Sequence, residues 1–193
     1  MPSVATRVTP EEYLERERRA ETRSEYRNGE IVAMAGASLV HAQIVSNLHF
    51  CIRLGLGSGS CGVFTTDLRL AVRAANLFTY PDVIVTCGEV ELADNRRDII
   101  LNPVVLIEVL SKSTQDYDRG EKFAAYRSIP SLMEYLTVAQ DKIQVEQHTR
   151  QPDGHWLRTE FTEPTAVITL PSINVELRVA DVYEKVALAS ARD

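Results

Sequence analysis

The residues of this chain that could do chemistry fall between Tyr80 and Tyr126. Tyr80-Pro81-Asp82 runs into the apolar Val83-Ile84-Val85. A second apolar run, Val104-Val105-Leu106-Ile107, ends on Glu108 and continues as Val109-Leu110. Ser111-Lys112-Ser113-Thr114 follows, and then Asp118, Lys122 and Tyr126 at four-residue spacing. A carboxylate in a buried strand is costly unless it is paired or bound to a metal. That argument applies to Asp82 and more strongly to Glu108, which is lodged in an apolar run. Two hard oxygen ligands converging from neighbouring strands suit Mg²⁺, with Mn²⁺ as an alternative. Such an ion takes few protein carboxylates and completes its shell with water and phosphate oxygens. A lysine nearby could stabilise an attacking hydroxide or the charge that develops on phosphoryl oxygens. Two acids, a lysine and a metal are what phosphodiester hydrolysis needs.

Each residue also has a plainer reading. Asp82 could cap the turn before its strand, since Pro-Asp is common in turns. Glu108 could be paired with a buried arginine. Asp118 and Lys122 could form an ordinary i,i+4 helix pair. Tyr126 shares their face and could line a cleft or pack in the core. His41, in the first turns of a helix, reads more readily as structural or solvent-facing than as a ligand. The conjunction of all these features in one stretch is far rarer than any one of them.

The elements that must position these groups can be read from periodicity and punctuation. Thr9-Pro10-Glu11-Glu12 starts a helix running to about Ala20, with a capping box. Asn28-Gly29 between two strand-like runs marks a hairpin. Ser38 caps a helix from Leu39 to about Leu54, whose Val40, Ile44, Leu48 and Ile52 face the core. Strands are expected at 61–65, 68–73, 79–86, 104–110, 132–138, 142–148, 156–161 and 167–170. In the second of these, Leu68, Leu70 and Val72 point inward and Arg69, Ala71 and Arg73 outward. Residues 88–98 read as a projecting polar loop, where Arg96 and Arg97 are solvated by default. Thr114 caps a helix from Gln115 to about Ser128, and Pro130 stops it. An amphipathic helix over 179–188 closes the chain. The order of helices and strands implies an α/β fold with a mixed central sheet flanked by helices.

At 193 residues, with 45% hydrophobic and 25% charged residues, one domain spanning 1–193 is the expected organisation. No run of apolar residues is long enough to cross a membrane. The N-terminus lacks the apolar segment of a signal peptide. Cys51, Cys61 and Cys87 fit neither a disulfide framework nor a zinc ribbon, and read as small buried side chains in a reducing, cytoplasmic compartment. The net charge of −6 argues against an open surface that coats nucleic acid, but not against a local basic cleft.

Three segments together resemble a known family. They are Tyr80-Pro81-Asp82, Ile107-Glu108-Val109-Leu110-Ser111-x-Ser113-Thr114, and Asp118-Arg119-Gly120-x-Lys122-x-x-x-Tyr126-x-x-Ile129-Pro130-Ser131-x-x-Glu134-Tyr135. They are similar to the Uma-two family of restriction-endonuclease-like proteins, within the PD-(D/E)XK nuclease superfamily. Glu25-x-x-x-Gly29-Glu30-Ile31 and His41 fit the same pattern, so the resemblance covers about Thr9 to Tyr183. It implies the restriction-endonuclease-like fold, with Asp82 and Glu108 as metal-binding acids and Glu25 as a third carboxylate. Where the superfamily's Glu-x-Lys would place its lysine, this chain has Leu110. The lysine of this family sits on the following helix, which makes Lys122 the candidate and Lys112 its rival. Lys122 is preferred because the Ser111-x-Ser-Thr loop would turn Lys112 outward.

The expectation is a Mg²⁺-dependent DNA endonuclease in which Asp82 and Glu108 hold the metal and Lys122 supports the reaction. The competing reading is a nuclease-fold DNA-binding or interaction module with little catalysis. A homodimer is expected because duplex cleavage cuts two antiparallel strands, and a twofold pair of sites matches that symmetry.

Overall fold

The structure, a computed structural model, describes residues 7–65, 67–111 and 114–188. It is a mixed α/β fold built on two sheets. The chain begins with helix α1 (Pro10–Glu17) and the hairpin β1 (Ser24–Arg27) and β2 (Glu30–Ala33). The hairpin turns at Asn28 and Gly29, which both take positive φ. Helix α2 (Leu39–Leu56) follows, capped where the Ser38 hydroxyl accepts from the His41 N–H. Strands β3 (Cys61–Thr65), β4 (Arg69–Val72), β5 (Leu77–Thr79), β6 (Val83–Cys87), β7 (Ile99–Ile100) and β8 (Val105–Leu110) come next.

Helix α3 is one continuous right-handed run in three segments: Gln115–Tyr117, a π turn over Asp118–Lys122, and Phe123–Tyr126. Strands β9 (Glu134–Ala139), β10 (Val145–Arg150), β11 (Trp156–Phe161), β12 (Val167–Leu170) and β13 (Val175–Arg178) and the short helix α4 (Val179–Val182) complete it.

The larger sheet has the order β11-β10-β9-β8-β6-β3, with β8 and β9 parallel and the other pairs antiparallel. Helix α3 is the crossover between the parallel pair, as parallel strands require. The smaller sheet has the order β2-β1-β5-β4-β7, and β12 and β13 form a separate hairpin. Strand parity divides the core. Val83, Val85, Val105, Ile107 and Val109 pack with Ile44, Leu48 and Ile52 of α2 and with the β12–β13 hairpin. Ile84 and Leu106 face the other way, toward Tyr126, Ile129 and Leu132 and toward Leu70, Val72 and Leu77 of the smaller sheet. Glu108 has the parity of Leu106, so it belongs to the side that α3 covers. Fully burying one such aliphatic side chain stabilises by about 1.5–3 kcal/mol. Ile52→Ala, at 0% exposure, would therefore loosen the seat of α2.

Several expectations are corrected. The strand read over 79–86 is two strands in different sheets, because Pro81 has no N–H for a ladder and the chain changes sheet there. Arg69 is not turned to solvent. It is 7% exposed, its Nε donates to the Tyr80 hydroxyl at 2.6 Å, and its guanidinium meets Asp98 at 3.3 Å. The loop over 88–98 is tied down, since Arg18 of the α1 C-terminus pairs with both Asp94 and Asp98. The closing helix spans only Val179–Val182, and β13 precedes it, reached through a turn with Asn174 at φ 52°. Thr114 makes no side-chain cap, and the Ser111 hydroxyl accepts from the Thr114 N–H instead. Cys61 and Cys87 are disulfide-bonded, because antiparallel β3 and β6 bring them directly opposite each other, a pairing that 26-residue spacing does not reveal. The cysteines therefore do not argue for a reducing compartment. No helix among the described residues is long and apolar enough to cross a membrane.

Candidate active site

Asp82 follows the Pro81 break, one residue before β6. The β6–β8 register pairs Val83 with Ile107, so Asp82 and Glu108 are the next opposed positions and share a face. Asp82 Oδ2 accepts the Val109 N–H at 2.7 Å and lies 3.2 Å from His41 Nε2. Glu108, 4% exposed, accepts on Oε1 from the Tyr126 hydroxyl at 2.7 Å and from Lys122 Nζ at 2.9 Å. No described group bonds the other oxygen of either acid. Among the described residues, each carboxylate is thus held by one oxygen and unbonded at the other.

Lys122 arrives from the π turn of α3. Its Nζ also meets Glu25 Oε1 at 3.1 Å and Asp118 Oδ1 at 3.4 Å. The π turn leaves a backbone carbonyl in need of a donor, and the Tyr135 hydroxyl bonds Asp118 O at 3.0 Å. Such turns recur at functional sites because they re-aim side chains within a helix. Glu25 comes from β1 of the smaller sheet, where β5 is the neighbouring strand. The Thr79 hydroxyl donates to Glu25 Oε1, and Arg27 donates to Oε2 from two nitrogens, at 3.0 and 2.5 Å. Arg27 stacks its guanidinium on the Tyr117 ring, 3.5 Å from its centroid. The site therefore sits where the two sheets meet, roofed by α3.

The electrostatics of the cluster conflict. Burial pushes the Glu108 carboxyl well above the usual carboxylate range and outweighs Lys122, with Asp118 and Asp82 adding to the rise. Burial works against the charge of Lys122, but Glu108, Tyr126, Glu25 and Asp118 override it and hold the ammonium protonated. Burial would raise Glu25 too, yet Lys122, Thr79 and Arg27 together bring it below its ordinary value. For His41, burial pulls the pKa down while the Asp82 hydrogen bond and charge raise it above normal. Glu25, Glu108, Asp118 and Asp82 face Lys122 and Arg27, so acids outnumber bases.

Among the described residues, no three His, Cys, Asp or Glu side chains converge as a set that could hold a metal ion. A ligand set of one or two carboxylates fits Mg²⁺ or Mn²⁺, which keep water and substrate oxygens, better than it fits an ion held wholly by protein. The second oxygens of Asp82 and Glu108, unbonded among the described residues, could serve as donors to such an ion. Both Glu25 oxygens are engaged, Oε1 by Thr79 and Lys122 and Oε2 by Arg27.

The structure brings together Asp82, Glu108, Lys122, Glu25, Asp118, Tyr126 and His41. Lys112 lies outside the described residues. Sequence reasoning missed Thr79, Arg27 and Tyr117. For Arg27 a signal existed, because it stands two residues after Glu25 on one strand and so shares its face. Beside the end of β8, a cavity of about 500 Å³ is lined by Leu110, Ser111, Gln115, Arg119, Gln140 and Lys142, among others.

Known proteins resemble this chain throughout. The sequence profile of the Uma2 family, described as "Putative restriction endonuclease", matches residues 10–181. The uncharacterized protein sll1609 of Synechocystis sp. (strain ATCC 27184 / PCC 6803 / Kazusa) is 38% identical over 161 residues, 83% of this chain and 91% of that protein. The uncharacterized protein slr1290 of the same strain is 33% identical over 181 residues, 94% of each chain. A crystal structure from Anabaena variabilis ATCC 29413, described as a "putative nuclease belonging to DUF820", superposes with a TM-score of 0.77. It is 20% identical in sequence and covers 93% of this chain and 99% of its own, so it shares the fold.

Proposed function

The chain belongs to the Uma2 family of restriction-endonuclease-like proteins, and from that membership and the site's geometry we propose that it is a metal-dependent DNA endonuclease. The observation that carries the proposal is the pair of opposed acids, each clamped on one oxygen and free on the other, with a buried lysine against one of them. Asp82 and Glu108 would hold Mg²⁺ or Mn²⁺. When bound, the ion would lower the pKa of water and neutralise charge on the phosphoryl oxygens. Lys122 keeps its proton in this setting and offers a fixed positive charge to the nucleophile or to the pentacovalent phosphorus. Glu25 and Asp118 hold the ammonium in place, and the Tyr126 hydroxyl fixes Glu108.

A twofold dimer would present two such sites to antiparallel strands. Light scattering at micromolar concentration tests it, and a monomer removes that part. Endonuclease activity is tested on a panel of duplex, branched and single-stranded DNA with Mg²⁺ or Mn²⁺. Cleavage is expected in the wild type and lost in Asp82→Ala and Glu108→Ala, together with metal binding. The second reading, a binding module without catalysis, is favoured by the net charge of −6 and by Lys122 already occupying the carboxylates. Calorimetry separates the two, because a lapsed site shows no metal affinity that depends on Glu108.

A further inference from the structure

We infer that His41 is a positioning residue for Asp82, holding Oδ2 so that Oδ1 is the oxygen presented to the cation. The inference rests on the metal-dependent reading above and adds a role for a residue on a different element. Asp82 stands outside the strand ladder, just past Pro81, where a short side chain would otherwise swing freely. Two donors converge on one of its oxygens: the Val109 N–H at 2.7 Å and His41 Nε2 at 3.2 Å. An ionised carboxylate only accepts, so the ring must carry its proton on Nε2.

The ring itself is held by the start of α2. The His41 N–H bonds the Ser38 hydroxyl oxygen at 3.1 Å, and that hydroxyl donates to Gln140 Oε1 at 2.7 Å, tying the helix start to the turn after β9. His41 and Asp82 are only 16% and 15% exposed, so water competes weakly for the contact. His41 Nδ1 is buried with no partner among the described residues. Among the described residues, the ring's one directed interaction is therefore with Asp82. Outer groups that fix a ligating carboxylate typically change metal affinity 10–100-fold when removed.

The test is calorimetric titration of the full chain with Mn²⁺, using wild type, Asp82→Ala, His41→Ala and His41→Gln, with thermal unfolding of each in parallel. Glutamine can place its amide N–H near the position of the ring Nε2–H but is a poor metal ligand. The expected result is that His41→Ala weakens Mn²⁺ binding about 10–100-fold while His41→Gln stays close to wild type, both variants unfolding near the wild-type temperature. If wild type binds, Asp82→Ala does not, and folded His41→Ala binds like wild type, the role of His41 is overturned and the metal reading stands. If folded His41→Gln binds as weakly as His41→Ala, positioning is overturned in favour of direct ligation. A wild type that takes no Mn²⁺, or an Asp82→Ala variant that binds as well, overturns the metal reading and the role of His41 with it.

Discussion

Two of the clusters of charged side chains among the described residues are built on opposite plans. One joins α1 to the loop before β7. There Arg18 forks onto Asp98 with two contacts of 2.9 Å and reaches Asp94 at 2.5 Å. Arg69 adds contacts to Asp98 and to Tyr80, whose hydroxyl donates to Glu17 at 2.9 Å. The other is the site, where Lys122 stands among Glu25, Glu108 and Asp118. In the first, the partners reinforce one another: the Arg18 hydrogen bonds hold Asp98 and Asp94 below the usual carboxylate range, and Asp98 in turn raises Arg18. In the second, Glu108 is driven toward neutrality while Lys122 is held charged. The difference separates a clamp, whose partners reinforce one another's charge, from a site, whose surplus of acids a proton on Glu108 or another cation relieves.

The largest expected effect tests that surplus. Lys122→Ala should lower cleavage on the order of 10²–10³-fold while metal affinity stays level or tightens, because a cation has left a carboxylate cluster. Without metal, the variant should lose about 3–5 kcal/mol, the cost of leaving a buried charge unpaired. Added Mg²⁺ should recover more stability in the variant than in wild type, by thermal unfolding. Cleavage at the wild-type rate would reduce Lys122 to a structural pair.

The two clusters should also answer pH with opposite signs. Asp98 has a lowered folded pKa, so its stabilisation is present above the unfolded value and lost as pH falls through the folded one. Glu108 has a raised folded pKa, about 8, so stability is full below the unfolded value near 4.5 and is lost as pH rises toward 8. Urea unfolding of the metal-free protein should show Glu108→Gln gaining on wild type as pH rises from 4.5 to 8. A constant gap would mean that Glu108 is ionised throughout and the conflict is absent.

How much of this was legible in the sequence follows from where each contact is made. Asp82 and Glu108 could be placed on neighbouring strands because two apolar runs and a proline define them. Lys122, Asp118 and Tyr126 could be placed on one helix face because four-residue spacing survives the π turn, although the turn itself has no sequence mark. Glu25 came only through resemblance, since its approach depends on a second sheet whose strand β5 was merged with β6. The clamp was not legible at all. Arg18 and Asp98 are 80 residues apart, and nothing local says that a loop of acids folds back onto the end of α1.

The clamp is the next prediction. Arg18→Ala should cost about 1–2 kcal/mol through the lost charge-assisted bonds to partly buried Asp98, measured by urea unfolding at pH 7. Metal affinity and cleavage should not change. Altered metal binding would show that the clamp and the site are coupled through Tyr80, which lies two residues before Asp82.

The sharpest comparison is between two tyrosines. The Tyr80 hydroxyl accepts from Arg69 and donates to Glu17, and the Tyr126 hydroxyl donates to Glu108. Tyr80→Phe leaves Arg69 Nε without that acceptor and Glu17 without that donor. Its expected cost is about 1–3 kcal/mol of stability, the penalty for unsatisfied buried polar groups, with metal binding unmoved. Tyr126→Phe removes one of two donors from Glu108 Oε1, and Lys122 remains at 2.9 Å, so its stability cost should be smaller, about 1 kcal/mol. Its distinctive effect is on protonation. A donor to the carboxylate favours the charged form, so its loss should push Glu108 further up. At pH 7 the cation then competes with a more firmly held proton, and Mn²⁺ affinity should fall a few-fold. The deficit should close as pH rises to 9, where both proteins present an ionised Glu108. Calorimetric titration of the pair at pH 7 and pH 9 measures it. A deficit in Tyr126→Phe that is equal at both pH values would mean that the hydroxyl orients Glu108 without setting its charge.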